Sequence, residues 1–351
     1  MPRDVIEIFS VERLSILDEA GNVDEALMPA LSDEEIRRIY ELLVLSRTFD
    51  QRALSLQREG RLGTYPSILG QEAAQVGSAF AIAENDWIFP SFRENGMHIT
   101  LGYPIHLLFQ YWAGDERGHR TPDGLNIFPI SISVGTQIPH AAGAAMAAKY
   151  RGDNIAVICY FGDGGSSKGD FHEGFNMAGV FKLPLVFICQ NNQWAISVPV
   201  ERQTAAATLA QKAIGYGFEG LRVDGNDVFA VYLATRAALE KARSGGGPTF
   251  IECLTYRMAD HTTADDAARY RSRETIEAWR GKDPILRLTR FMERKGLWNE
   301  AYAKDTEDRA KSIIDEAVTA AEATEPPQPQ EMFDYTFAEP TPRQQKQMKD
   351  M

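Results

Sequence analysis

From Asn154 to Phe161 the chain reads Asn-Ile-Ala-Val-Ile-Cys-Tyr-Phe, apolar without alternation, and then runs into Gly162-Asp163-Gly164-Gly165. Such a run predicts a parallel strand covered on both faces, with Asp163 at its carboxyl end. Residues 170 to 182 predict a crossover helix with Phe171, Phe175, Met177, Ala178 and Phe181 as packing positions. Leu185 to Cys189 predicts a second buried strand that leads to Asn191-Asn192. A strand-helix-strand unit of about 30 residues brings both strand ends to one edge of the sheet, the edge at which open α/β sheets bind ligands.

Elsewhere the pattern is helical. Ser32-Asp-Glu-Glu35 predicts a capping box, followed by Ile36, Ile39, Tyr40, Leu43 and Val44 at the spacing of an amphipathic helix. Residues 139–149 are a helix of small side chains that admits close packing, inside the domain or against another subunit. Glu325-Pro-Pro-Gln-Pro-Gln330 ends a helix and reads as a linker. The expected organisation is an acidic N-terminal arm over 1–30, a doubly wound α/β domain with a mainly parallel sheet over 31–324, and a linker and C-terminal tail over 325–351. In that tail, 332–337 is apolar enough to dock and 341–351 is expected to fray.

Composition narrows the classes. A chain of 351 residues with 44% apolar content can bury a substantial core. Its net charge of −12 argues against nucleic acid or an anionic membrane as the main partner. Cys159, Cys189 and Cys253 fall in predicted strands without metal-ligand spacing, as buried thiols of a reducing compartment do. The N-terminus carries no apolar signal segment and no Arg-rich transit pattern, and no 18-residue apolar run occurs, so a prokaryotic cytoplasmic location is expected.

The chemistry starts from Asp163 and Asn192. A carboxylate and an amide oxygen at neighbouring strand ends, with a nearby main-chain carbonyl, form a hard ligand set suited to magnesium with phosphate oxygens. Gly162, Gly164 and Gly165 let the backbone approach those phosphates. An ordinary nucleotide-binding enzyme is the weaker reading, because Ser167 stands where a dinucleotide fingerprint starting at Gly162 needs its third glycine or an alanine, and no Gly-Lys-Ser/Thr phosphate loop occurs.

Gly162-Asp163-Gly164 followed by Asn191-Asn192 resembles the thiamin diphosphate motif. Three further blocks are in order: residues 190–199, 222–232 and 255–266. With them, the sequence from about residue 30 to about residue 340 resembles the alpha subunit of the decarboxylating first component of 2-oxo acid dehydrogenase complexes, of the bacterial pyruvate and branched-chain types. The resemblance implies a thiamin diphosphate-binding fold, thiamin diphosphate and magnesium as cofactors, and an active site completed by a beta subunit in a heterotetramer of two alpha and two beta chains. It also implies a 2-oxo acid substrate and acyl transfer to the lipoyl group of the acyltransferase component. The alternatives are an acetoin dehydrogenase alpha subunit or a non-catalytic homologue acting as a scaffold.

Residue by residue, the resemblance makes Asp163, Asn192 and the main-chain carbonyl of Trp194 the metal ligands. It places Phe92 and Arg93 on the diphosphate, and Val134, Gly162, Gly164, Gly165 and Ile196 around the cofactor. On the residues alone Arg93 is equally a surface arginine paired with Glu94 or Glu84, Arg257 a partner of Asp260 or Asp265, and His261 a solvated loop histidine. The resemblance puts Arg257 on the diphosphate and makes His261 a loop residue over the cofactor that steadies the diphosphate or shuttles a proton. Asp170 and Glu173, three apart on one face of the crossover helix, read on the residues alone as solvated acids, and the resemblance makes them proton-relay carboxylates between paired sites. Two positions depart from the pattern: Gln190 stands where branched-chain relatives have arginine, and Trp194 where relatives have tyrosine or phenylalanine.

Overall fold

The computed structural model of the chain describes residues 3–334 and 336–351. Met1 and Pro2 of the predicted arm and Tyr335 of the predicted docking segment lie outside the described residues. In chain order the strands are β1 (Glu12–Leu14), β2 (Trp87–Phe89), β3 (Val157–Gly162), β4 (Leu185–Asn191), β5 (Trp194–Ala195), β6 (Val198–Pro199), β7 (Glu219–Asp224) and β8 (Thr249–Leu254). Six of them make one parallel sheet in the order β1-β7-β8-β4-β3-β2, while β5 and β6 pair as a small antiparallel hairpin.

The unbroken apolar runs follow from burial on both sides. Ile158 and Tyr160 of β3, with Val186 and Ile188 of β4, enter the core beneath α1 (Asp33–Arg58) and α2 (Glu72–Ala79). Their neighbours Val157, Cys159, Phe161, Leu185, Phe187 and Cys189 enter the opposite core. Successive strand residues point to opposite faces, so a sheet covered by helices on both sides demands an apolar residue at every position. After α3 (Asn95–Thr100) and α4 (Ile105–Trp112) comes α5 (Gln137–Arg151), which covers the second face together with the crossover helix α6 (Gly169–Phe181).

On α6, Phe171, Phe175 and Ala178 are buried, and Phe175 stacks on Phe171 and Phe187 with ring centroids 3.8 and 4.1 Å away. Phe181, expected in the same layer, is 51% exposed. At about 100° per residue it lies some 80° off the stripe set by Phe171, Phe175 and Ala178. Met177 is only half-buried.

Two terminal segments differ from their expectation. The N-terminal arm contributes β1 to the sheet edge and buries Ile16 and Leu17. Periodicity missed it because the strand is three residues long and anchored by a distant side chain. Asp227 Oδ2 accepts the main-chain N–H groups of Ile16 and Leu17 at 2.5 and 2.7 Å, while its Oδ1 caps the helix α8 that follows the short α7 (Val200–Gln203), with α8 spanning Val228–Arg243. The tail at Pro342–Lys349 is a helix with a capping box at Thr341, not a frayed end. Met332 and Phe337 remain exposed among the described residues.

Asp227 therefore serves four amides at once. Asp227→Ala leaves them without their acceptor and should cost about 3 kcal/mol in urea unfolding. Hydrogen exchange should show Ile16 and Leu17 amides losing protection, and unchanged protection there would disprove the anchor.

Candidate active site

Parallel pairing of β3 with β4 puts Gly162 opposite Gln190, so Asp163 after one strand and Asn192 after the other leave the sheet at one edge. There a cavity of about 550 Å³ opens. Phe92, Arg93, Val134, Gly162, Asp163, Gly164, Gly165, Asn192, Trp194, Ile196 and His261 line it. Arg257 stands behind that wall, fully buried. Asp170 and Glu173 are not on the cavity: on α6 the first is half-buried and the second exposed.

The oxygen groups are arranged by local hydrogen bonds. Asp163 is 1% exposed, and burial pushes its carboxyl up to about 6, against the lowering effect of Gln203. Gln203 Nε2 donates to Asp163 Oδ2 at 2.7 Å. Asn192 Oδ1 accepts the main-chain N–H of Trp194 at 3.2 Å. At Gly164 a side chain would press on Ala195 Cβ at 2.8 Å, so the glycine lets the hairpin lie against the loop. The hairpin itself turns through Ile196 at φ +55°. For a β-branched residue this left-handed conformation is strained by about 1–3 kcal/mol, a feature concentrated at functional sites.

Arg257 holds that strained turn. Its Nη2 donates to the Ile196 carbonyl at 2.7 Å and to Tyr270 Oη at 2.7 Å, and its Nη1 to the Trp194 carbonyl at 3.3 Å. Neither Asp260 nor Asp265 is its direct partner; Asp265 is reached through the Tyr270 hydroxyl, which donates to it. Arg93 likewise engages main-chain carbonyls rather than Glu94 or Glu84. Its Nη1 donates to Ser67 O at 2.7 Å and its Nη2 to His261 O at 3.0 Å.

Both guanidiniums also converge on His261. Arg93 Nη2 lies 3.2 Å and Arg257 Nη1 3.3 Å from Nδ1. A guanidinium only donates, so Nδ1 accepts and the ring proton sits on Nε2. Burial, then Arg93 and Arg257, push this imidazole down to about 4. Burial and Arg257 also bring Arg93 down to about 10. Two buried cations that touch no carboxylate make a site for an anion, because desolvated charge must find a counter-charge.

Beneath Arg93 lies a second network. Glu94, 2% exposed, accepts Gln190 Nε2 at 2.6 Å and Ser91 Oγ at 3.1 Å, and burial raises its pKa. Gln75 Nε2 in turn donates to Gln190 Oε1 at 2.9 Å. Glu94, Gln71 and Gln137 line the cavity, and the sequence assigns none of them to a cofactor. Lone glutamines and an acid beside an arginine carry no spacing signal. Among the described residues no three His, Cys, Asp or Glu side chains gather as a metal cluster, so an ion at the strand ends would depend on mixed oxygen ligands.

Comparison with known proteins gives a consistent picture. Residues 40–330 match the family model described as dehydrogenase E1 component. The chain is 46% identical over 316 residues to a pyruvate dehydrogenase E1 component subunit alpha of Staphylococcus aureus strain N315, covering 90% of this chain and 85% of that protein. To a Staphylococcus epidermidis protein of the same name it is 45% identical over 330 residues, covering 93% of this chain and 89% of that one.

His261 should thus stay neutral well below its ordinary range. Its folded value of about 4 lies below the ordinary 6.5, so its contribution to stability is complete above 6.5 and is lost as pH falls toward 4. Nitrogen-15 spectra of the histidines should show a midpoint near 4 for this ring, and a midpoint near 6.5 would mean that the ring is neither buried nor faced by the two guanidiniums.

Proposed function

This chain belongs to the dehydrogenase E1 component family, and we propose that it supplies the alpha half of a pyruvate-decarboxylating site completed by a beta subunit. It is an alpha subunit of a thiamin diphosphate-dependent 2-oxo acid dehydrogenase. The relatives named above favour neither the acetoin-cleaving alternative nor a scaffold without catalysis. Pyruvate is the proposed substrate because those relatives carry pyruvate in their names.

The observation that carries the site assignment is the meeting of Asp163, Asn192 and Arg93 on one cavity, with Arg257 behind its wall and neither guanidinium hydrogen-bonded to a carboxylate among the described residues. These residues fit a magnesium-bound diphosphate. One carboxylate, one amide oxygen and the Trp194 carbonyl are hard ligands, and magnesium would complete its octahedron with phosphate oxygens and water. Arg93 and Arg257 would balance the diphosphate charge, with Phe92 beside Arg93 at 5.4 Å from the ring centroid. Gly162, Gly164 and Gly165 would allow the phosphates to approach the backbone.

When bound, thiamin diphosphate supplies the electron sink for loss of carbon dioxide. The chain's own residues hold, neutralise and move protons. His261, kept neutral with its proton on Nε2, would donate or relay that proton during acyl transfer. Val134 and Ile196, 42% and 56% exposed at the mouth, are apolar surface that a beta subunit would cover. Asp170 and Glu173 lie off the cavity, so a proton-relay role for them depends on assembly bringing paired sites together.

The wider reading is a heterotetramer of two alpha and two beta chains that passes its acyl group to a lipoylated acyltransferase component. The bacterial cytoplasm is the proposed compartment, in keeping with three buried free thiols. Among the described residues no helix is long and apolar enough to cross a membrane.

Calorimetry on the alpha-beta assembly should show thiamin diphosphate binding that requires magnesium, and Asp163→Asn should weaken it by more than about tenfold. No binding by a folded assembly would remove the site assignment. The same assembly should decarboxylate pyruvate in preference to 3-methyl-2-oxobutanoate, and the opposite preference would overturn the substrate. This chain alone should turn over neither. His261→Ala should keep the fold and the cofactor while slowing acyl transfer to lipoamide, and an unchanged overall rate would exclude His261 from catalysis.

A further inference from the structure

The loop before α2 places a buried glutamine against a proposed metal ligand. Gln71 is 0% exposed and lines the cavity. Its Oε1 accepts Asn192 Nδ2 at 3.0 Å. The orientation of both amides follows from one neighbour. The main-chain N–H of Trp194 donates to Asn192 Oδ1 at 3.2 Å, which makes that atom the oxygen and leaves Nδ2 as the group facing Gln71. Gln71 must answer with its oxygen. Its own Nε2 is then left buried, without a partner among the described residues, on a side chain that lines the cavity.

A buried amide nitrogen without a partner costs free energy unless a ligand accepts from it. The backbone gives it little freedom to turn away. Gly70 sits at φ +91°, where a side chain would collide with the Tyr256 carbonyl, and Met258 N–H bonds Leu69 O at 3.1 Å. Gln71 makes no side-chain cap to α2, so helix capping does not explain the residue.

We propose that Gln71 is a positioning residue that locks the Asn192 amide with its oxygen toward the metal and offers Nε2 to an oxygen of the diphosphate. This rests on the magnesium-diphosphate reading of the site. An Asn192 amide freed from Gln71 can rotate and present nitrogen, which is no ligand for a hard cation. Outer partners of this kind typically change metal affinity by about 10–100-fold.

The test is a magnesium titration of thiamin diphosphate binding by the alpha-beta assembly, followed by calorimetry and by tryptophan fluorescence, since Trp194 lines the cavity. Gln71→Met, which removes both acceptor and donor, should raise the magnesium concentration needed by about 10–100-fold. The cofactor-free assembly should melt within about 3 °C of the parent, because no cap is lost. Gln71→Glu retains an acceptor for Asn192 Nδ2 but presents oxygen to the diphosphate. It should keep magnesium dependence nearer the parent and bind the cofactor less tightly, and it alone decides the matter should Gln71→Met fold poorly. Magnesium dependence and cofactor affinity both within twofold of the parent, in a folded variant, would overturn the proposal and leave the function standing. A parent assembly without magnesium-dependent binding would overturn both.

Discussion

Parallel pairing of β3 with β4 is the constraint on which the site depends. With Gly162 opposite Gln190, the acid after one strand and the amide after the other reach the same sheet edge without any loop having to find its partner. A slip of one residue would turn every side chain on β4 to the other face, exchanging Val186 and Ile188 for Leu185, Phe187 and Cys189 between two differently shaped cores. Packing on both faces therefore fixes the register, and the register fixes the spacing of the oxygen groups. The aromatic layer of Phe161, Phe171, Phe175, Phe187 and Phe250 holds the crossover helix to that sheet.

Around this edge the protein stores charge and strain together. Arg93 and Arg257 are buried among carbonyl oxygens and share one imidazole nitrogen, and Ile196 holds a backbone conformation its side chain disfavours. Arg257 connects the two, since its guanidinium grips the Trp194 and Ile196 carbonyls while reaching His261. A single side chain thus couples the hairpin that carries a proposed metal ligand to the loop that carries the proposed proton carrier. An anion entering the cavity would relieve the repulsion between the guanidiniums and stiffen both segments.

The same cavity is incomplete at its mouth. Ile132, Val134 and Ile196 present apolar surface there, each more than two-fifths exposed. Chemistry that depends on excluding water needs this rim covered, which is consistent with a family whose alpha chains work beside a beta chain. The buried Glu94, by contrast, sits with Gln190 and Gln75 in a closed network, so the absence of an arginine at position 190 is met by neutral amides rather than by a gap.

Sequence alone determined the core strands and the site's oxygen pair, because uninterrupted apolar runs and a glycine loop are local signals that the sheet leaves little freedom to reinterpret. It also carried the family resemblance through several long blocks. What only the tertiary structure decided is whatever depends on contacts between distant segments. The strand at Glu12–Leu14 is held by Asp227, more than 200 positions away, and could not be seen in its own three residues. Phe181 escaped the core because helix geometry, not hydrophobicity, chooses the buried stripe. The partners of Arg257 proved to be carbonyls and a tyrosine instead of the nearby aspartates, and Gln71 gained its place from the fit of Gly70 against Tyr256. A glutamine or arginine has the same reach in every sequence; which atom it meets is set by the fold.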